Sequence, residues 1–174
     1  LHFTIHSFPT RRSSDLTREK LLTWLIITII NLGSKLVSKL IQNLKFTSFC
    51  LDKRSWLIYN SLKKNNNDYS LIIAHNPATF YPAYQFAKKT RILFALDVED
   101  YHPGETENHS QRMKIEFLME KILPSASYIS YASYPIYQNS LELLKNKCNL
   151  SNHILINNSF PSSEFPPPEN PPSN

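Results

Sequence analysis

Glycine is almost missing from this chain: Gly33 and Gly104 are the only two in 174 residues. No GxGxxG turn or phosphate-cradling loop can be assembled from them, so the common nucleotide-binding fingerprints are excluded from this stretch of sequence. Cysteine is as scarce. Cys50 and Cys148 lie far apart, with neither a CxxC nor a Cys/His spacing, which argues against a zinc site or a disulfide framework and fits buried thiols in a reducing compartment. Long apolar runs are also lacking: the longest, from Leu21 to Leu32, is about twelve residues, against roughly twenty needed to span a bilayer. The lysines are scattered, with no basic stripe interleaved with aromatics, so nucleic acid is not an expected partner.

What is present is the composition of one globular domain, with 41% hydrophobic and 19% charged residues, a balance that excludes a disordered chain. The opening stretch stands apart. "HSFPTRRSSDL", His6 to Leu16, reads codon for codon as a translated sequencing adaptor, so residues 1–16 are expected to be a scar; the other reading is a basic targeting peptide carrying Arg11 and Arg12. Without Arg11, Arg12 and Asp15 the formal charge falls to about +4, a mildly basic balance.

The rest alternates regularly. Thr17 fits an N-cap, and Leu and Ile recur at helical spacing to Leu44, with Gly33 as an interruption; this predicts a core helix. Lys35, Lys39 and Lys45 fringe it, so contact with an anionic membrane surface is the second reading. A further helix is predicted over Lys53 to Lys64. Strands are predicted at "LIIA", "RILFAL", "YISYA" and "HILIN", with helices over "TFYPAYQFAKK", "SQRMKIEFLMEKIL" and "PIYQNSLELLKN" between them. Continuous apolar strands alternating with amphipathic helices imply an α/β fold with a doubly wound parallel sheet, Rossmann-like and covered on both faces.

Open parallel sheets bind ligands beyond the carboxyl ends of their strands. His75 and Asn76 follow one strand, Asp97, Glu99 and Asp100 a second, and Asn157 and Asn158 a third, so all are expected at one edge. Taken singly, such Asp and Asn residues commonly end strands and cap helices; as a group they point to a cleft. Tyr128, Tyr131, Tyr134 and Tyr137 are read as packing residues. Tyr101 lies beside the acidic loop.

The stretches "DYSLIIAHNPATFYPAYQFAKK", "ILFALDVEDYHPGE", "SASYISYASYPIYQNSLELL" and "ILINNSF" together resemble the N-terminal domain of GT-B glycosyltransferases of the family 4 type. The resemblance runs from about Tyr69 to Phe160. The family's middle strand commonly ends in a D-x-H-E motif; here Asp97 matches its Asp, Glu99 stands where His is usual and Asp100 where Glu is usual, which weakens any role that depends on that His. The resemblance implies two Rossmann-like domains, the first holding the acceptor and the second the nucleotide-sugar donor, with no other cofactor. It also implies a crossing to the second domain near Asn158 and Phe160, a first strand and glycine-rich turn upstream, and work in polysaccharide biosynthesis in the cytoplasm, peripheral at the inner membrane face. The proline-rich residues 161–174 cannot form a helix or central strand and read as linker. The chain is thus expected to be a fragment, inactive alone, without its donor domain.

Within such an enzyme Glu99, Asp100 and His102 are the candidate catalytic residues, His102 having a pKa suited to proton exchange near neutrality. His75, Asn76, Asp97, Tyr101, Glu105, Asn157 and Asn158 are the candidate substrate-binding residues, contacting a sugar or lipid-linked glycan acceptor. The plainer reading has Glu105 or Glu107 capping a helix that begins near Ser110, with Arg112 paired to a loop carboxylate. A divalent-metal-dependent hydrolase is an alternative, since the loop offers hard oxygen ligands and imidazole. Spacing speaks against it, because His75 has no carboxylate near it in sequence, and no metal is expected. A non-catalytic binding module is the remaining alternative.

Overall fold

The computed structural model describes residues 2–5, 18–65, 68–144 and 152–157, with the backbone path alone for 2–5 and 18–20. Its elements in chain order are β1 (His2–Ile5), α1 (Arg18–Leu40), α2 (Leu44–Leu51), α3 (Lys53–Lys64), β2 (Leu71–Ala74), α4 (Pro77–Thr90), β3 (Leu93–Val98), α5 (His109–Ile122), β4 (Tyr128–Tyr131), α6 (Tyr134–Leu144) and β5 (His153–Leu155). Short 3₁₀ turns cover His102–Glu105 and Leu123–Ser125.

The strands form one parallel sheet in the order β1-β2-β3-β4-β5. The expected strands from β2 onward are present, in the expected alternation with helices. Strand β1 lies within the stretch read as an adaptor scar, and its backbone pairs with β2 from His2 opposite Leu71 to Ile5 opposite Ala74. The edge of the sheet beside β2 is therefore paired.

Side chains alternate between the faces of a strand, and the register shows which face carries the core. Ile72 and Ala74 of β2, Phe94, Leu96 and Val98 of β3, and Ile129 and Tyr131 of β4 share one face and belong to the main core cluster. Packed on them are Phe80, Ala83 and Phe86 of α4, Leu118, Met119 and Ile122 of α5, and Leu144 of α6. Full burial of each large side chain in this layer contributes about 1.5–3 kcal/mol.

The opposite face carries Leu93, Ala95 and Asp97 of β3, with Ser130 of β4 and Ile154 of β5 in the same rows. On this face Leu93 is 58% and Ile154 46% exposed, while Ile73, Ala95 and Ser130 are buried. The doubly wound expectation is corrected here for the described residues. The strand order never reverses, and right-handed crossovers that all step in one direction place their helices on one face.

Helix starts follow local chemistry. Asn76 caps α4: its side chain accepts from the Ala78 N–H at 3.2 Å, while the Thr79 hydroxyl lies 3.2 Å from the Asn76 backbone N–H, and Pro77 fills the first helical position. Asn108 caps α5, accepting from the Gln111 N–H at 3.0 Å. Neither Glu105 nor Glu107 has the capping role expected of them, because the short Asn side chain at the helix boundary already satisfies that donor. Arg112 pairs with Glu116 one turn along α5, at 3.0 Å, rather than with the acidic loop.

Helix α1 differs most from expectation. Its two most buried residues are polar, Asn31 and Ser34, while Leu22, Ile29, Leu36 and Leu40 are 63%, 67%, 66% and 86% exposed. The reason lies in α2, whose last carbonyls have no intrahelical partner. The Asn31 side-chain amide donates to the carbonyls of Phe49 at 2.7 Å and Cys50 at 3.0 Å, so α1 docks through an amide and turns its leucines outward. It is not the core helix expected. Cys50 is a buried free thiol, as expected; Cys148 lies outside the described residues.

Candidate functional site at the carboxyl edge of the sheet

Three consecutive strands place polar groups in one row. Ala74 pairs with Leu96, so His75, the next residue, comes beside Asp97, which in turn is opposite Ser130 of β4. His75 Nδ1 lies 3.0 Å from Oδ2 of Asp97 and 3.8 Å from Oε1 of Glu99. From the other side, the Ser130 hydroxyl donates to Oδ1 of Asp97 at 2.7 Å. The Asp97 carboxylate is thus held between two strands, one oxygen toward a hydroxyl and the other toward an imidazole. The His75 side chain is 16%, that of Asp97 30% and that of Glu99 58% exposed, so the cluster opens to solvent on the Glu99 side. One donor atom from each of His75, Asp97 and Glu99 falls within 4.8 Å of the others.

The proximity of His75 to two carboxylates overturns the spacing argument made above. His75 and Asp97 are 22 positions apart in sequence, and only the in-register pairing of β2 with β3 joins them. Sequence reasoning also passed over Ser130. The available signal was a small hydroxyl residue inside an otherwise apolar strand.

The remaining acidic-loop residues form a second group. His102 and Pro103 are buried in the 3₁₀ turn, and His102 Nδ1 pairs with Oε2 of Glu105 at 2.9 Å. The ring of Phe80 meets His102 edge-on, centroids 5.9 Å apart. Nε2 of His102 has no hydrogen-bond partner among the described residues. His102 and Glu105 line a cavity of about 370 Å³ with Asn76 and Ala78 at the start of α4, and with Asp52 and Arg54. Asp52 and Arg54, not foreseen as part of any site, form an ion pair of 2.6 Å. The carboxylate beside it raises the Arg54 pKa through a hydrogen bond, against the opposing effect of burial.

The other candidates separate by role. Asp100 is exposed, and its backbone carbonyl accepts from the His102 N–H at 3.0 Å. Tyr101 packs so close to Gly104 that a Cβ there would meet its ring at 3.2 Å; burial, then the charge of Glu116, raises its phenol pKa. Asn76 spends its side chain on the α4 cap. Asn157 is exposed at the end of β5, and Asn158 lies outside the described residues. The expected tyrosine packing is seen in the buried Tyr131, whose ring lies 5.3 Å from that of Tyr137; Tyr134 is 53% exposed.

The class defined by these features is a parallel α/β protein with a His/carboxylate cluster at the carboxyl edge of its sheet. Comparison with family models, with curated proteins and with solved structures returns no match for this chain.

Proposed function

We propose that this chain is the acceptor-side domain of a two-domain GT-B glycosyltransferase, transferring sugar from a nucleotide-sugar donor to a glycan or lipid-linked acceptor. The observation that carries the reading is the meeting of His75, Asp97 and Glu99 at the strand ends. The D-x-H-E resemblance puts an imidazole beside its Asp; here position 99 is Glu, and the imidazole arrives from the neighbouring strand instead. A carboxylate fixed by Ser130 and an exposed Glu99 suit the hydroxyls of a sugar acceptor, which need orientation more than charge. Glu99 and Asp97 are the groups assigned to that contact. His102 and Glu105, set in their own cavity, are assigned to positioning the loop.

Helix α1 adds a membrane role: its outward apolar face, flanked by Lys35 and Lys39, would keep the enzyme peripheral at an anionic bilayer where lipid-linked acceptors reside.

Binding separates the acceptor side from the donor side. In saturation-transfer NMR on the 174-residue chain, neutral oligosaccharides should give signals and nucleotide sugars should not, with the saccharide signals reduced about tenfold in Glu99→Gln. Nucleotide-sugar binding at the strand edge, or saccharide binding indifferent to Glu99→Gln and Asp97→Asn, would reject the assignment.

A further inference from the structure

Beyond the transferase reading, though at the same cluster on which that reading rests, we infer that His75, Asp97 and Glu99 form a binding site for one divalent transition cation of the Mn²⁺ or Zn²⁺ kind.

The donors come from two strand ends and include an imidazole, so this is a mixed nitrogen and oxygen set rather than a patch of acids. Their spacing matches one ion. With metal–ligand bonds of about 2.1 Å, two donors on one cation sit roughly 3.0 Å apart at a right angle and roughly 3.4 Å apart at the tetrahedral angle. The observed separations from His75 Nδ1 are 3.0 Å to Asp97 and 3.8 Å to Glu99. All three donor atoms lie within 4.8 Å of one another, and Glu99, the exposed member, is the side chain that would close on an ion. Asp97 is prepared as a ligand, because the Ser130 hydroxyl occupies Oδ1 and leaves Oδ2 toward the cluster. Such outer hydrogen bonds orient ligating carboxylates.

Charge points the same way. Two carboxylates and a neutral imidazole sum to −2, which a divalent cation balances. The imidazole favours Zn²⁺ or Fe²⁺ over Ca²⁺ and Mg²⁺, which prefer oxygen alone, and the two carboxylates admit Mn²⁺ as well. Three protein ligands on the solvent side of a sheet edge leave positions for water or an oxygen of a bound molecule.

Calorimetric titration of the full chain with Zn²⁺ and with Mn²⁺, in a non-chelating buffer, tests the site. One equivalent should bind in the micromolar range. His75→Ala and Asp97→Asn should each weaken binding about 100-fold, Ser130→Ala about tenfold, while Glu142→Gln, exposed on α6, leaves it unchanged. A measurement on the unmutated chain guards against variants that fail to fold: substoichiometric Mn²⁺ should broaden the ring protons of His75 before those of His102, His109 or His153. Absence of heat with both ions, or first broadening at another histidine, would overturn the inference. So would binding unaffected by His75→Ala and Asp97→Asn. Because saccharides are not used, these outcomes stand apart from those of the transferase test.

Discussion

At the residue scale, single polar groups decide how this chain docks on itself. Asn31 lies in a run that reads as apolar and would pass for an interruption; its partners, the carbonyls of Phe49 and Cys50, are 18 and 19 positions away. Truncating a buried donor leaves two acceptors unsatisfied, so Asn31→Ala should lower stability by about 1–3 kcal/mol in urea unfolding. Loss below about 0.5 kcal/mol would show that water replaces the amide. His153 is a second case. It stacks on Tyr131, with centroids 5.6 Å apart, and Nδ1 lies 2.9 Å from the Tyr131 hydroxyl; burial lowers its pKa.

A depressed histidine pKa means that the unfolded chain binds more protons between the folded and unfolded values, so stability rises with pH across that window. The contribution is complete above about 6.5, the ordinary histidine value, and is lost as pH falls toward the folded value. The thermal midpoint should therefore drop from pH 7 to pH 5.5 by more in the unmutated chain than in His153→Phe. Equal slopes would remove His153 from the account. The residues of the candidate site were legible as types, since acids, Asn and His followed apolar runs. Their pairing was not, because sequence spacing does not show the register that sets His75 beside Asp97.

At the scale of elements, the strands were the most legible part. Runs such as "LFAL" are apolar on both faces, and no amphipathic helix reads that way. Helix α1 was legible in extent and misleading in orientation. Its apolar periodicity is real, yet most of the stripe faces outward, while Asn31 bonds to α2 and Ile30 packs against the core. The 20-residue segment Leu21–Leu40 is, by length and composition, apolar enough to cross a membrane, beyond the twelve-residue run read from the sequence, and 11% of its 18-residue apolar window is buried; Lys53 sits 5.4 Å over the Trp24 ring beside it.

A basic fringe beside such a stripe suits an anionic bilayer surface. The chain should sediment with vesicles of mixed phosphatidylglycerol and phosphatidylcholine, bind less as salt rises, and bind weakly to phosphatidylcholine alone. Replacing Leu22, Ile29 and Leu36 together by Ser should abolish sedimentation without lowering the thermal midpoint, since these side chains are mostly exposed. Unchanged sedimentation would contradict the surface role, and membrane association resistant to alkaline carbonate would identify a spanning helix instead.

At the scale of the whole molecule, the parallel α/β class followed from the alternation of strand and helix, whereas the one-sided placement of helices did not. Local periodicity reports that a strand is buried, but strand order is a property of crossovers, and a sheet with or without a reversal reads alike along the chain. The one-sided sheet leaves its carboxyl edge as the place where β2, β3 and β4 deliver His75, Asp97 and Ser130 together.

On the proposed reading this edge receives a sugar acceptor. Amide chemical-shift mapping, with the tightest-binding neutral oligosaccharide titrated into the isotopically labelled chain, tests it most directly. The largest shifts are expected at His75, Asp97, Glu99 and Ser130, all diminished in Glu99→Gln. Shifts centred elsewhere, or none with any saccharide at millimolar concentration, would contradict it.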